Sequence, residues 1–498
     1  MKDTQPGFQS ALLADFYALT MAQGFWKKGM NSRAIFEMFF RDQPFRGGFS
    51  VFAGLGTLLE RVRGFGFSAD DIEYLRGLKV FEEGFLDYLR GFRFTGSLWA
   101  MDEGRVVFSQ EPLVRVDAGL IECQLLEGML LNIINFQTLI ATKTARVWLA
   151  SGKGSIMEFG LRRAQGPDGA MSASRAAYIG GAAGTSNVLA GKVYGIPVLG
   201  TMAHAWIMSF PSEEAAFRAY AQIYPGKTVF LIDTYDTLKS GTPNAIKVGR
   251  ELAAQGKNFG VRLDSGDIQY LSTEVRKMLD AAGLPKASIA VSNDLDESII
   301  QTLRDSGAPV DSWGVGTQMV TGGNQAAFPG VYKLMARENA EHELEPAIKF
   351  SDNPEKTTMP GIKQVWRLKD RAGMALADVM ALDADCAAAA TVPVNAPLLR
   401  PGESGSFWHP AADYRRFSLC LDGEAEPLLK PRMLGGELAA EQPGLEDIRR
   451  TVKADLEALD PTYKRLLNPH IYKVSITGEL RELKLGLIKK HLGDLQGA

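Results

Sequence analysis

Six segments in the middle of the chain each run from an apolar stretch into polar residues or glycines. They read SIMEFGLR (155–162), IPVLGTMAH (196–204), TVFLIDTYD (228–236), FGVRLDSGD (259–267), SIAVSND (288–294) and DSWGVGT (311–317). A β/α barrel builds its active site in this way, from the carboxyl ends of successive parallel strands. One imidazole, several carboxylates, two guanidiniums and a glycine turn would together suit an anionic, phosphorylated substrate and a divalent metal. The residues expected to gather there are Phe159, Arg162, His204, Asp233, Asp236, Arg262, Asp264, Asp294, Gly314, Gly316 and Thr317.

The composition is that of an ordinary globular protein. The chain has 498 residues, 46% of them apolar and 23% charged, and its formal net charge is −3. This charge provides no basic field that would attract nucleic acid or a membrane. The three cysteines, Cys123, Cys386 and Cys420, are widely spaced, which suits a reducing cytosol better than a disulfide framework or a zinc site. The N-terminal residues lack the pattern of a secretory signal, so we expect a cytoplasmic location.

The order of strand-like and helix-like segments predicts an α/β protein with three consecutive regions. Residues 1–150 mix helices and strands, and C-terminal segments could complete this N-terminal domain. Residues 151–340 alternate strands with helices, which predicts a parallel sheet with right-handed crossovers. We count six or seven strands there, so an irregular or incomplete β/α barrel is as good an expectation as a full one. Residues 341–498 are expected to form a smaller C-terminal module.

The N-terminal region contains three strong local patterns. Apolar residues at helical spacing predict a helix over 11–29, with Ser10 as its N-cap and Gly29 at its end. Residues 33–40 alternate as a strand does. Residues 124–150 predict a long, mostly buried helix that leads into the barrel.

Taken together, several stretches resemble the nicotinate phosphoribosyltransferase family. The resemblance is dense from about residue 9 to 335 and weaker to the end of the chain. Each stretch alone is weak evidence, but the set is very specific. The matching stretches are ALLADFYALTMA, FEMFFRDQPFRGGFSVFAGL, EFGLRRAQGPDG, GGAAGTSNVLAGKVYGIPVLGTMAHAW, LIDTYDTLKSGTPNAIKV, VRLDSGDIQYLS, SNDLDE, WGVGTQMVT and GVYKL.

The resemblance implies a fold and a reaction. The fold is that of type II phosphoribosyltransferases, which pair an irregular α/β barrel with a mixed α+β N-terminal domain and a C-terminal extension. The reaction joins nicotinate to 5-phosphoribosyl 1-pyrophosphate, giving nicotinate mononucleotide and pyrophosphate. It is driven by ATP hydrolysis and needs Mg²⁺. The family also works as a dimer, which implies a homodimer with shared active sites.

The resemblance assigns a phosphorylated histidine and a metal site. His204 stands where the family carries a histidine that accepts the γ-phosphate of ATP, so a phosphohistidine would link ATP cleavage to transfer. Asp233, Asp264 and Asp294 are candidates for contacts with Mg²⁺ and with the ribose hydroxyls, the first two as metal ligands and catalytic residues. Helix capping competes with each assignment, and it explains Asp236 and Asp267 at least as well.

The phosphoribosyl pyrophosphate site is expected at the remaining strand ends. Arg162 and Asp294 would contact this substrate. The glycines Gly314 and Gly316 would let the backbone approach a phosphate, and Thr317 would donate from the start of the next helix. A plain tight turn is the alternative interpretation of these glycines.

Five residues are expected to bind nicotinate. Tyr17 and Phe159 would sandwich the pyridine ring, Arg262 would pair with its carboxylate, and Thr201 would lie nearby. The related nicotinamide enzymes carry an aspartate where this chain has Ser186, and a hydroxyl can donate to a carboxylate that an aspartate would repel. A helix N-cap is the alternative role for Ser186.

Three rival functions are less consistent with these residues. A nicotinamide or quinolinate phosphoribosyltransferase is disfavoured by Ser186 and His204, respectively. A catalytically dead barrel that senses the same ligands is disfavoured because the full set of strand-end polar groups is present. An unrelated aldolase or isomerase would need a Schiff-base lysine at a strand end, and none of these strand ends carries one.

Overall fold

The computed structural model describes residues 10–351, 356–383, 398–412 and 414–496. Cys386 and most of the segment around it lie outside these residues. The chain divides into two compact units, one formed by Met1–Thr138 with Ala327–Ala498 and the other by Leu139–Ala326. The boundaries of these units differ from the predicted boundaries at 150 and 340, and the C-terminal residues share a unit with the N-terminal ones.

Helices and strands alternate through most of the described chain. The helices are α1 (Phe16–Lys27), α2 (Leu55–Arg63), α3 (Ala69–Gly77), α4 (Glu83–Arg90), α5 (Leu120–Ala150), α6 (Gly166–Gly180), α7 (Val188–Tyr194), α8 (His204–Met208), α9 (Glu213–Ile223), α10 (Thr242–Ala254), α11 (Ile268–Ala281), α12 (Glu297–Asp305), α13 (Thr317–Val320), α14 (Leu445–Glu457) and α15 (Gly478–Gln496). The strands are β1 (Arg33–Phe40), β2 (Ser50–Val51), β3 (Ser97–Ala100), β4 (Val106–Val107), β5 (Val114–Gly119), β6 (Ser155–Glu158), β7 (Gly184–Thr185), β8 (Val229–Leu231), β9 (Gly260–Leu263), β10 (Ser288–Val291), β11 (Ser312–Val315), β12 (Gly330–Glu338), β13 (Leu344–Pro346), β14 (Lys363–Lys369), β15 (Ala375–Leu382), β16 (Ser404–Trp408), β17 (Arg416–Cys420), β18 (Ala425–Pro427), β19 (Lys430–Leu434), β20 (Glu437–Leu438) and β21 (Val474–Ile476).

The second unit contains a six-stranded parallel sheet in the order β7-β6-β11-β10-β9-β8. Helices α6 to α13 connect or follow its strands, as expected for β/α units. The strand order is open, with β7 and β8 at the two ends. The expected irregular, incomplete barrel is therefore confirmed, and five of the six predicted strand ends lie at the carboxyl ends of β6 and β8 to β11.

The predicted strand over 196–204 is wrong. This segment forms only one isolated bridge, between Thr185 and Val198, and the two-residue strand β7 pairs with β6 instead. Pro197 has no N–H to donate to a ladder, and Gly195 adopts a left-handed conformation with φ +70° that ends α7. Residues 199–203 therefore run as a loop, which delivers His204 to the first turn of α8.

The first unit is built on two further sheets. A seven-stranded sheet has the order β13-β12-β1-β5-β3-β19-β20, with the almost fully buried β1 paired on both sides. Its strand β19 comes from the C-terminal part of the chain, so C-terminal residues complete the N-terminal sheet. A six-stranded sheet has the order β17-β16-β21-β15-β14-β18, and its β14–β15 pair is antiparallel.

The helices of the N-terminal region differ from the predictions at their ends. Helix α1 starts at Phe16, with Asp15 as its N-cap residue, because residues 10–14 form a turn. Ser10 therefore does not cap it, and its hydroxyl donates to Asp71 at 3.0 Å instead. Helix α5 begins at residue 120, four residues before the predicted start. By length and composition α5 could cross a membrane, but 61% of its most apolar window is buried inside the protein, as in a core helix.

A buried charge cluster joins several elements of the first unit. Arg367 on β14 binds Asp378 on β15 at 2.7 Å and Asp455 on α14 at 3.1 Å, and the Tyr472 hydroxyl donates to Asp378 at 2.9 Å. Glu111 is also fully buried here. Burial first, and then the neighbouring Asp378 carboxylate, raise the pKa of Glu111 well above its usual value. Burial and the neighbouring carboxylate therefore both favour the neutral form of Glu111.

Candidate active site

The strand ends of the second unit enclose a cavity of about 530 Å³. Loops after β6, β7, β9, β10 and β11 and the loop before α8 supply its walls. The predicted site residues that line it are Phe159, Arg162, Ser186, Thr201, His204, Arg262, Asp264, Asp294, Gly314, Gly316 and Thr317. Asp233 and Tyr17 do not line it.

Arg262 is the centre of the cavity's hydrogen-bond network. Its Nη1 donates to Thr201 Oγ1 at 2.7 Å, and its Nε donates to Ser292 Oγ at 2.8 Å. Its Nη2 donates to Asp264 Oδ1 at 2.7 Å, and its guanidinium carbon lies 5.6 Å from the centre of the Phe159 ring. Three acceptors thus fix the plane of the guanidinium beside an aromatic wall, which suits recognition of a planar anionic ring.

His204 and Asp233 form an imidazole–carboxylate pair. His204 Nε2 lies 3.2 Å from Asp233 Oδ1. The other carboxylate oxygen, Oδ2, accepts from the Asp264 backbone N–H at 3.0 Å and from Ser265 Oγ at 2.6 Å. The Asp233 side chain is only 2% exposed, whereas that of His204 is 40% exposed. Asp233 is therefore a fixed acceptor that orients the more accessible imidazole, with Nε2 as the nitrogen it engages.

The two predicted metal ligands differ in availability. Both oxygens of Asp233 accept hydrogen bonds from protein groups, as described above. Asp264 Oδ1 accepts from Arg262 and from Ser292 Oγ, but no hydrogen bond to its Oδ2 is formed within the described chain. No group of three or more His, Cys, Asp or Glu side chains suited to a metal is found among the described residues. A single open carboxylate fits Mg²⁺, which keeps several waters and takes substrate phosphate oxygens as ligands.

Ser186 lies in the turn between β7 and α7. Its backbone N–H donates to the carbonyl oxygen of Glu158 at 2.8 Å. The N-cap of α7 is Asn187, whose Oδ1 accepts from Ala190 N at 3.2 Å. The alternative role of Ser186 as the helix N-cap is therefore wrong. Ser186 lines the cavity instead.

Gly314, next to the last residue of β11, serves packing, and Gly316 lies at the start of the next helix. A Cβ on Gly314 would lie 2.7 Å from the Phe159 ring, so the glycine makes room for that ring. Gly316 immediately precedes α13, and Thr317 is the first residue of this helix. Asp294 and its neighbour Asn293 have φ values of +34° and +96°, a strained backbone of the kind that collects at functional sites.

The capping hypothesis is confirmed for two strand-end aspartates. Asp236 accepts from the backbone N–H groups of Leu238 and Lys239, and Asp267 accepts from that of Tyr270. Neither lines the cavity. Several lining residues were missed at the sequence level although they adjoin predicted ones; these are Arg163, Gly200, Ser292 and Asn293.

Tyr17 belongs to the first unit. It is 48% exposed on α1, beside Phe16 and Met21, which are 54% and 41% exposed. Partial burial and the nearby Glu127 raise the pKa of Tyr17 to about 12, so the phenol stays protonated at neutral pH. No role was predicted for Glu127 from the sequence.

Glu127 also lies close to a basic cluster of Arg41, Lys333 and Lys349 in the first unit. Burial chiefly, followed by the charges of Lys349 and Arg41, lowers the pKa of Lys333 although Glu127 opposes the shift. Arg41 Nε is buried without a hydrogen-bond partner in the described structure.

Comparisons with known proteins cover almost the whole chain. Three sequence models match: the nicotinate phosphoribosyltransferase N-terminal domain over residues 12–135, the nicotinate phosphoribosyltransferase family over 155–380, and the C-terminal domain over 362–484. The nicotinate phosphoribosyltransferase of Bacillus subtilis is 43% identical over 94% of this chain and 93% of its own length. The human protein of the same name is 33% identical over 95% of each chain.

Solved structures give the same result. The crystal structure of human nicotinic acid phosphoribosyltransferase matches with a TM-score of 0.81 and 31% identity, over 95% of this chain and 99% of that one. The structure of nicotinate-nucleotide pyrophosphorylase from Pyrococcus furiosus shares the fold, with a TM-score of 0.68 at 22% identity over 90% of this chain and 95% of that one. By its sequence models, its relatives and its fold, this chain belongs to the nicotinate phosphoribosyltransferase family.

Proposed function

We propose that this protein transfers the phosphoribosyl group of 5-phosphoribosyl 1-pyrophosphate to nicotinate and couples the transfer to ATP hydrolysis. The products are nicotinate mononucleotide, pyrophosphate, ADP and phosphate, in NAD salvage. Membership of the family supports nicotinate as the base. The observation that carries the coupled reaction is one cavity lined both by the Phe159–Arg262 wall and by His204, whose imidazole is oriented by Asp233.

Transfer forms one bond and breaks another. The pyridine nitrogen attacks C1 of the ribose, and the C1–O bond to pyrophosphate breaks with its electron pair leaving on the pyrophosphate. Phe159 and Arg262 hold the ring and its carboxylate so that the nitrogen faces C1, which removes much of the entropic barrier to the reaction. The partial positive charge that develops on the ribose is stabilised by the adjacent carboxylates of Asp264 and Asp294.

The phosphates would be held by cationic and donor groups that line the same cavity. Arg162 and Arg163 supply charge, and Thr317 with the backbone at Gly316 supplies hydrogen-bond donors. Asp264 is the better candidate for Mg²⁺, since its Oδ2 is open whereas both Asp233 oxygens are engaged. When bound, Mg²⁺ would neutralise charge on the leaving pyrophosphate.

ATP coupling is assigned to His204. Asp233 accepts from Nε2, so Nδ1 carries the lone pair that attacks the γ-phosphorus while ADP leaves. Water later cleaves the phosphohistidine to give phosphate. Asp233 stabilises the positive charge that the imidazole gains during both steps.

The alternatives are not favoured. An amide-specific enzyme would use a carboxylate at position 186, and Ser186 with Arg262 instead matches a carboxylate substrate. A ligand-sensing barrel without activity would not need the His204–Asp233 pair. A cytoplasmic location is part of the proposal, and the two described cysteines, Cys123 and Cys420, are free thiols as a reducing compartment would favour.

We further propose a homodimer in which each partner completes the other's site. Apolar side chains are exposed near Ser186 in the second unit, namely Val188 at 68%, Leu189 at 57% and Val193 at 58%. The exposed face of α1 around Tyr17 is a matching apolar surface in the first unit. Association of two copies would cover both surfaces and place a partner's Tyr17 over the pyridine ring.

The proposal is tested by a product assay with nicotinate, nicotinamide and quinolinate offered separately, with and without ATP. Of the three bases, we expect only nicotinate to give a mononucleotide product. In the variant His204→Ala, nicotinate-dependent ATP hydrolysis should be abolished, while some transfer without ATP can remain. His342→Ala changes an exposed histidine that contacts Glu338 and serves as the matched control. Parental ATP hydrolysis in His204→Ala would refute the phosphohistidine role.

A further inference from the structure

A buried glutamate that does not line the cavity adjoins Phe159, which does. Glu158 is the last residue of β6 and is 1% exposed. Its Oε2 accepts from Ser174 Oγ at 3.0 Å and from Thr185 Oγ1, and its Oε1 accepts from the backbone N–H of Gly160. No basic side chain of the described chain forms an ion pair with it. Burying a carboxylate without a cation is unfavourable unless hydrogen bonds compensate, and all three partners here are donors.

The first arm of this network fixes Phe159. The Gly160 N–H that binds Glu158 belongs to the peptide on the C-terminal side of Phe159, and the Phe159 N–H donates to Val315 O at 2.8 Å on the other side. A Cβ at position 160 would collide with Val320, so the chain is closely packed at this point. The backbone of Phe159 is thus held from both ends, and its ring lies in the space left by Gly314.

The second arm fixes Ser186. Thr185 Oγ1 donates to Glu158 and also accepts from Asn187 N at 2.9 Å. The Ser186 N–H donates to the Glu158 backbone oxygen at 2.8 Å. Both residues that flank Ser186 are therefore tied to the Glu158 carboxylate, directly or through Thr185, and the turn that presents the serine cannot move independently of it.

We propose that Glu158 is a positioning residue that sets the spacing of the two base-binding walls, Phe159 and Ser186. It thereby controls the affinity for nicotinate and the preference for the acid over the amide. The inference rests on the proposed function, because it assumes that the base binds between these walls. It predicts an effect on the nicotinate KM with little effect on kcat or on the KM for phosphoribosyl pyrophosphate.

Two substitutions separate the arms. In Glu158→Gln the amide nitrogen faces either the Gly160 N–H, which breaks the first arm, or the hydroxyls of Ser174 and Thr185, which must then turn from donors into acceptors. In both cases the charge-assisted hydrogen bonds of the carboxylate are lost. In Glu158→Asp the shorter carboxylate can still accept from the N–H two residues on, as aspartates do in Asx-turns, but it no longer reaches Thr185. The first should affect ring and carboxylate binding together, and the second should affect chiefly the Ser186 side.

The experiment measures kcat and both KM values with nicotinate and nicotinamide, together with the melting temperature. Glu213→Gln is the matched control, since Glu213 is 4% exposed, accepts from Ser240 Oγ at 2.6 Å and Asn244 Nδ2 at 3.0 Å, and does not line the cavity. We expect the nicotinate KM to rise about tenfold in Glu158→Gln, because the loss of one hydrogen bond weakens binding by about this factor. In both Glu158 variants the nicotinate-to-nicotinamide ratio of kcat/KM should fall. In Glu213→Gln, kcat and both KM values should stay within about twofold of the parent's values. A twofold change is smaller than the loss of one hydrogen bond would cause.

The double variant Glu158→Gln with Ser186→Ala gives a second readout. If Glu158 acts through Ser186, the two effects on the nicotinate KM must be non-additive. An unchanged nicotinate KM in Glu158→Gln, or a fall in melting temperature and kcat with no change in selectivity, overturns the proposal. If the parent makes no product from nicotinate, the proposed function itself has failed. If Ser186→Ala alone leaves the KM unchanged, the base-pocket assignment has failed.

Discussion

Replacing Asp233 by asparagine should separate ATP hydrolysis from phosphoribosyl transfer. The Asp233 carboxylate accepts from His204 Nε2, from the Asp264 backbone and from Ser265 Oγ, and its side chain is 2% exposed. The asparagine amide must turn its NH₂ toward one of these groups. If it faces His204, the ring proton moves to Nδ1 and blocks the proposed nucleophile. If the NH₂ group faces away from His204, it lies against the Asp264 backbone N–H. Two donors then meet without an acceptor between them.

The size of the effect follows from these contacts. A hydrogen bond to a charged group contributes about 1.5–3 kcal/mol. Because about 1.4 kcal/mol corresponds to a factor of ten in rate, loss of one such bond predicts a decrease of about 10-fold to about 150-fold in the rate of nicotinate-dependent ATP hydrolysis. Loss of the negative charge beside the developing imidazolium places the result toward the upper end of this range. Transfer without ATP should change much less.

The assay follows ADP and nicotinate mononucleotide in the same reaction and measures the phosphorylated enzyme after a single turnover with ATP labelled in the γ-phosphate. Asp236→Asn is the matched control, because Asp236 is a helix cap outside the cavity and asparagine caps helices equally well. Unchanged ATP hydrolysis and phosphoenzyme in Asp233→Asn would refute the proposed pair. The same loss in Asp236→Asn would show that local folding, rather than the pair, is responsible.

Three further predictions concern base choice, assembly and stability. Ser186→Asp should lower kcat/KM for nicotinate and raise it for nicotinamide, since it places a carboxylate against a carboxylate. The inactive variants Tyr17→Ala and Asp264→Ala should regain activity when their subunits are exchanged, because a mixed dimer holds one site free of both changes. Glu111→Gln should become more stable relative to the parent as pH rises, as measured by chemical denaturation at about pH 5 and about pH 9. The Glu111 pKa is raised by burial and by Asp378, so the parent's stability is complete below the unfolded pKa and declines as pH rises through the folded pKa.

Each of these predictions has an outcome that would contradict it. An unchanged ratio of nicotinate to nicotinamide use in Ser186→Asp would show that position 186 does not face the ring substituent. Absence of recovery after verified subunit exchange would mean that Tyr17 serves its own chain's site or none, and self-mixing of each variant is the control. Parallel pH profiles for Glu111→Gln and the parent would show that Glu111 does not carry a buried proton.

Much of the catalytic sheet could be predicted from local signals. Strands β6 and β8 to β11 lie inside the predicted segments, because short apolar runs bounded by polar residues and glycines define buried parallel strands on their own. Capping was predictable at Asp236 and Asp267 for the same reason, since a cap bonds only to its own helix. No strand forms over 196–204 although the segment is apolar, because Pro197 has no N–H to donate and Gly195 ends α7 in a left-handed conformation.

The sequence alone determined the identity of the strand-end groups, since parallel strands in β/α units bring their carboxyl ends to one edge. Only the tertiary structure decided how these groups are paired. Arg262 meets Thr201 across a sequence separation of 61 residues, and His204 meets Asp233 across 29. The role of Glu158 was likewise hidden, because a buried carboxylate is recognised only when its donors converge from Gly160, Ser174 and Thr185. Local patterns record what one segment prefers, whereas partners across segments depend on how the sheet places them.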